Sequence, residues 1–167
     1  MLKLVIMDVD GTLTDGGIYY SESGTEIKRF STKDGAGILA MEATGSDCMI
    51  LTGRTSYAVK RRAADLRIRY VYQGVSDKEQ FLSDFFKEKG FRKEEILFIG
   101  DDLNDIRAMR LCGLSACPAD AAEEVLEIVD YISHKKGGHG AVRDILFHFL
   151  KEEGRYKEAV DKAYGGI

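Results

Sequence analysis

The chain has 167 residues, 44% of them hydrophobic and 31% charged, with a formal net charge of -4. That length supports one domain over 1–167, burying about 70% of its unfolded surface, and the mildly acidic balance gives no electrostatic reason to expect nucleic acid or an anionic membrane as partner. No basic lead precedes a long apolar stretch and no run approaches the roughly 18 apolar residues of a membrane span. Cys48, Cys112 and Cys117 lack metal-type spacing and read as reduced core residues of a cytoplasmic protein.

In chain order, the pattern predicts a strand at 4–9, a β-hairpin at 18–30 turning around Glu22, Ser23 and Gly24, and a helix at 36–43. A strand at 48–51, a helix at 56–66, a strand at 69–72 and a helix at 78–89 follow. Then come a strand at 96–99, a helix at 104–111, a strand at 114–117, a helix at 121–128, a weak strand at 131–132 and a helix at 141–153. The polar stretch 154–167, ending near Gly165 and Gly166, reads as a loosely held tail. Apolar runs of strand length alternating with helices predict an α/β fold, a doubly wound parallel sheet with ligands at the carboxyl ends of its strands.

Those ends carry polar groups: Asp8 and Asp10 after the first strand, Thr52 after the second, Lys78 at the start of the helix after the third, and Asp101, Asp102 and Asp105 after the fourth. Converging carboxylates repel one another unless a cation lies among them. An oxygen-only set without His or Cys predicts Mg²⁺ rather than Zn²⁺, with Asp8, Asp10 and Asp101 as its ligands. Lys78 and the Thr52 hydroxyl suit phosphate oxygens, and Gly11 and Gly53 admit backbone amides. A carboxylate nucleophile with a second carboxylate two residues on, sharing one face, fits phosphoryl transfer through an aspartyl-phosphate. "SDKE" at 76–79 also reads as a capping box with Ser76 as N-cap.

With "DVDGTLTD" at 8–15, Thr52, Lys78 and "GDDLND" at 100–105, the chain resembles the haloacid dehalogenase superfamily of phosphotransferases. The resemblance implies that Asp8 is the nucleophile and Asp10 the acid/base, and that Mg²⁺ is held by Asp8, the Asp10 carbonyl and Asp101. It also implies that Thr52 and Lys78 bind the phosphoryl group while Asp102 and Asp105 orient water and Lys78. The spacings 10–52 and 78–101 leave no room for a cap domain, only for the hairpin. The closer likeness is to the capless branch, phosphatases of 2-keto-3-deoxy sugar acid phosphates in lipopolysaccharide-sugar synthesis, carried by "YQGVSDK" at 72–78 and "GGHGAVRD" at 137–144. It implies a homotetramer in which neighbouring subunits complete each site.

The same resemblance implies substrate contacts at Lys33, Asp34, Gly35, Gly53, Arg54 and Arg62, with Arg54 favouring an eight-carbon over a nine-carbon sugar acid. Lys33 and His139 stand where the branch usually has arginine, and lysine lacks the bidentate fork. His134 and His148 read as structural. The appended domain of acylneuraminate cytidylyltransferases shares the outline. A phosphoacceptor receiver, with its acidic pair after the first strand and its acceptor after the third, fits this motif order poorly. An idle assembly domain would have no need of the full set Asp8, Asp10, Thr52, Lys78 and Asp101.

Overall fold

The computed structural model describes residues 1–165. After β1 (Leu4–Met7), a hairpin of β2 (Tyr19–Tyr20) and β3 (Glu26–Ile27) precedes a regular alternation: α1 (Thr32–Ala43), β4 (Asp47–Leu51), α2 (Tyr57–Asp65), β5 (Tyr70–Tyr72), α3 (Lys78–Lys89), β6 (Ile96–Ile99), α4 (Ile106–Met109), β7 (Leu114–Cys117), α5 (Glu123–Leu126), β8 (Tyr131–Ile132), α6 (Ala141–Glu152) and α7 (Tyr156–Tyr164). β1 is apolar and buried along its whole length, as a strand covered on both faces must be. It lies inside a six-stranded sheet of order β5-β4-β1-β6-β7-β8 whose pairs are all parallel. The chain works outward from β1 through β4 and β5, then returns to β6 on the other side. That reversal places the crevice at the carboxyl ends of β4, β1 and β6.

Side-chain alternation divides the core. Val5, Met7, Cys48, Ile50, Leu97 and Ile99 pack with α1, α2, α6 and α7; Leu4, Ile6, Met49, Leu51, Ile96 and Phe98 pack with α3, α4 and α5. Each such buried side chain contributes about 1.5–3 kcal/mol, which pins the strand ends. Asp8 N–H donates to the Ile99 carbonyl at 2.9 Å. The ladder therefore continues one residue past β1, and the parity of Leu4 and Ile6 turns Asp8 toward the α3 side.

Several predicted boundaries shift. α1 begins at Thr32 rather than 36, because Ser31 caps it by accepting from Lys33 N–H at 3.2 Å. Its Gly37 allows the close crossing of α6, where a Cβ would lie 2.8 Å from the Arg143 Cα. The N-cap of α3 is Asp77, which accepts from Gln80 N–H at 3.0 Å, not Ser76. α4 and α5 are single turns, the first preceded by a 3₁₀ turn at Leu103–Asp105. The tail expectation fails over most of its length: α7 buries Ala159 and Val160, and Tyr164 Oη donates to the Ala36 carbonyl at 2.8 Å. Tyr156, Ala159, Val160 and Ala163, at i, i+3, i+4 and i+7, form the stripe that docks it; Gly166 lies outside the described residues. All three cysteines are buried free thiols. Among the described residues no helix is long and apolar enough to cross a membrane.

Candidate active site

β1, β4 and β6 deliver Asp8, Thr52 and Asp101 to one edge, and α3 meets them with its first residue. Lys78 Nζ lies 2.7 Å from Asp8 Oδ1 and 2.6 Å from Asp105 Oδ1, with all three side chains buried. Asp105 is fixed from behind by the backbone N–H of Asp101, at 3.0 Å. The Thr12 hydroxyl donates to Asp101 Oδ1 at 2.8 Å. Two carboxylates thus share one ammonium, and a third, Asp101, lies beside them.

The charge imbalance shows in the titration of these groups. Burial, with Asp105 adding to it and Lys78 opposing it, pushes the Asp8 carboxyl up to about 6. Burial likewise pushes Asp101 up to about 7. Burial works against the Lys78 ammonium, but Asp8 and Asp105 outweigh it and hold its pKa above the ordinary lysine value.

A divalent cation fits this donor set. One oxygen each of Asp8, Asp101 and Asp105 lies within 4.8 Å of the others, and all are hard oxygen donors of the kind Mg²⁺ takes. Gly11 completes the cradle: at φ +92°, a Cβ there would lie 2.0 Å from Asp101 Oδ2. Because carboxylates with raised pKa must lose protons to hold a cation, Mg²⁺ binding should weaken as pH falls through 7 to 6. Without metal, the same groups take up protons more readily folded than unfolded, so their contribution to stability falls as pH rises from about 4 past 7. Mg²⁺ should therefore raise Tm more at pH 8 than at pH 5.5, read by calorimetry; an equal shift at both would count against this cluster as the metal site.

A cleft of about 150 Å³ opens over the group, lined by Asp8, Asp10, Thr52, Gly53, Arg54, Asp102 and Asn104. Asp102 caps the 3₁₀ turn, accepting from Leu103 N–H at 2.7 Å. The Asp10 carboxylate stands apart from the metal-type cluster, in an ion pair with Lys28, and its side chain remains partly exposed toward the cleft. Lys28 escaped the sequence reading, which treated 18–30 only as a hairpin.

Lys33, Asp34, Gly35 and Arg62 lie elsewhere. Asp34 is buried, accepts from Arg143 N–H at 3.1 Å and is pushed up to about 6 by burial. Arg62 donates to the Ser31 carbonyl at 3.2 Å, beside Gly35. Lys33 lines a larger cleft of about 580 Å³ with His134, His139, Arg143 and His148. That cleft contains none of the clustered carboxylates, so the chemistry and not the volume marks the site. His148 stacks on Tyr131 with ring centroids 3.8 Å apart.

A doubly wound sheet presenting a buried Asp–Lys–Asp group and a second aspartate pair at its switch point defines a phosphoryl-transfer enzyme of the aspartate-nucleophile class. Residues 70–146 match the haloacid dehalogenase-like hydrolase model, and the chain belongs to that family. Its relatives there include 3-deoxy-D-manno-octulosonate 8-phosphate phosphatases. The Salmonella typhi protein is 39% identical over 95% of this chain and 84% of its own length, and the Haemophilus influenzae protein 38% identical over 98% and 91%. The crystal structure of the Moraxella catarrhalis phosphatase, in complex with magnesium ion, phosphate ion and KDO, is similar with a TM-score of 0.91 at 39% identity, over 95% of this chain and 91% of that one.

Proposed function

We propose that the protein is a Mg²⁺-dependent phosphomonoesterase that hydrolyses 3-deoxy-D-manno-octulosonate 8-phosphate to the free sugar acid and phosphate. The observation that carries it is the Lys78 bridge between Asp8 and Asp105 at the mouth of β1, beside Asp101, in a chain that matches such phosphatases over nearly its whole length. Asp8 Oδ2, the oxygen not held by Lys78, attacks phosphorus as the bond to the sugar oxygen breaks, and Asp10 gives that oxygen its proton. Asp10 then takes a proton from water, whose oxygen attacks the aspartyl-phosphate and releases Asp8. Lys78 and Thr52 bind the transferring oxygens, and Asp102 and Asp105 orient water and Lys78. Of the carboxylate cluster, Asp8 and Asp101 would hold Mg²⁺ together with the Asp10 backbone carbonyl, while Asp105 stays paired with Lys78; when bound, the ion would supply charge neutralisation to the phosphoryl group. Chelation should abolish phosphate release and added Mg²⁺ restore it; chelator-resistant turnover would refute the metal's role.

Arg54, partly exposed at the cleft mouth, is placed to meet the keto-acid end of the substrate. We expect Arg54→Ala to lower kcat/KM at least tenfold more for the sugar acid phosphate than for p-nitrophenyl phosphate, since losing a charge-assisted contact costs about 1.5–3 kcal/mol. Equal losses on both would remove Arg54 from recognition of the acid.

A homotetramer is the assembly this reading favours. The hairpin exposes Ile18, Tyr19, Tyr20 and Ile27, which are 44%, 47%, 66% and 51% accessible, an apolar face suited to another copy. Lys33 and Arg62, away from this chain's own cleft and not buried, reach a substrate in that assembly by serving a neighbour's site, whereas Asp34 and Gly35 are buried within this chain and shape the start of α1. The buried thiols fit a reducing compartment, and we place the enzyme in the cytoplasm.

A further inference from the structure

The hairpin carries its charges inward and its apolar residues outward. Glu26, Ile27 and Lys28 alternate, so 26 and 28 share a face. Ile27 is 51% exposed, whereas the Lys28 side chain is wholly buried and that of Glu26 is 18% accessible. An ammonium taken out of water costs several kcal/mol unless it is paired and hydrogen-bonded. Lys28 Nζ is paired and hydrogen-bonded to Asp10 Oδ1, and it lies in ion-pair range of Glu26 Oε1 at 3.1 Å without forming a hydrogen bond to it. Arg54 closes a ring, with Nη2 2.6 Å from Glu26 Oε2 and Nε 3.8 Å from Asp10 Oδ2. Both Asp10 oxygens face a cation, each from a different element. The Thr14–Phe30 bridge fixes the base of the hairpin that supplies Lys28.

We propose that Lys28 is a positioning residue for Asp10, with Glu26 holding Lys28 and Arg54 in register, so that the hairpin belongs to the reaction machinery as well as to the surface. This rests on the phosphatase reading above. Lys28 is too deeply buried to touch substrate. Its effect runs through the placement of the Asp10 carboxyl, which must face the leaving oxygen in the first step and water in the second. A misplacement of about 1 Å in such a group costs roughly 10²-fold. The pairing also explains an oddity of the strand pattern: "EIK" has its polar residues facing in because the buried face is the site and not the core.

The test uses two aryl phosphates, so that it does not depend on the identity of the natural substrate. Phenyl phosphate needs its leaving oxygen protonated, whereas p-nitrophenolate departs unaided, and kcat/KM reports the steps through formation of the aspartyl-phosphate. Lys28→Met should lower kcat/KM at least tenfold further on phenyl than on p-nitrophenyl phosphate, Lys28→Arg should recover part of that difference, and Lys28→Met added to Asp10→Asn should lower the phenyl phosphate rate no further. Should Lys28→Met fail to fold, Lys28→Gln, too short to reach Asp10, is read in the same way. Equal losses on the two substrates, or a further loss in the Asp10→Asn background, would overturn the role of Lys28 and leave the phosphatase reading standing. A wild-type protein that releases phosphate from neither substrate with Mg²⁺ would overturn both.

Discussion

Asp8→Asn abolishes phosphate release, at least about 10⁴-fold below wild type, while the protein stays folded. The carboxamide has no anionic oxygen to attack phosphorus, and removing a covalent nucleophile leaves only the residual catalysis of binding and charge stabilisation. The fold should survive because the substitution takes one negative charge from a buried trio. Asp8 is held at about 6 by burial and by Asp105, and Lys78 keeps its other partner, Asp105, at 2.6 Å. Thermal unfolding without metal at pH 8 should therefore be unchanged or slightly higher, and turnover assayed on the same preparation should be lost. Near-normal turnover would remove Asp8 from the chemistry.

Gly11→Ala is the second large effect, and it separates two costs. At φ +92° any other residue is strained by about 1–2 kcal/mol, and the new methyl would lie 2.0 Å from Asp101 Oδ2, so the carboxylate must move. Mg²⁺ affinity should weaken at least tenfold and turnover fall by roughly 10², the scale of a misplaced group. Gly24→Ala is the control. Gly24 sits at φ +79° in the hairpin turn with nothing within 4 Å of a Cβ, so only the backbone strain applies, and turnover measured at saturating Mg²⁺ should stay close to wild type. If both variants lose activity equally, backbone strain and not the crowding of Asp101 is the cause.

Much of this was legible in the amino-acid order for a physical reason. Strands buried on both faces, such as "LVIM" and "ILFI", leave an unbroken apolar run that is hard to mistake when glycines and aspartates end it, and the motifs stand at those ends. Lys78 was found as part of such a motif, and its contacts with Asp8 and Asp105 followed from α3 packing on the face that Asp8 points to. Thr12 and Lys28 were missed because each acts through a tertiary contact with a partner far along the chain: Asp101, 89 residues away, and Asp10, across the hairpin. The one local clue to Lys28 was a strand with alternating charge, which normally signals a solvated face. α7 was hidden for the opposite reason. Its composition is polar, and only docking on α1 selects the Ala159 and Val160 side as a core face. A helix start at 36 leaves Lys33, Asp34 and Gly35 outside α1, whereas the Ser31 cap draws them into its first turn.

The most direct measurement is Mg²⁺-dependent phosphate release across 3-deoxy-D-manno-octulosonate 8-phosphate, a nine-carbon N-acylneuraminate 9-phosphate and common sugar phosphates such as glucose 6-phosphate. The likeness to octulosonate 8-phosphate phosphatases predicts the highest kcat/KM for the eight-carbon acid, and a carboxylate contact at Arg54 should set it at least about tenfold above sugar phosphates that lack a carboxylate. Higher kcat/KM on the nine-carbon acid would contradict the substrate, and phosphate release from none of them would contradict the enzyme.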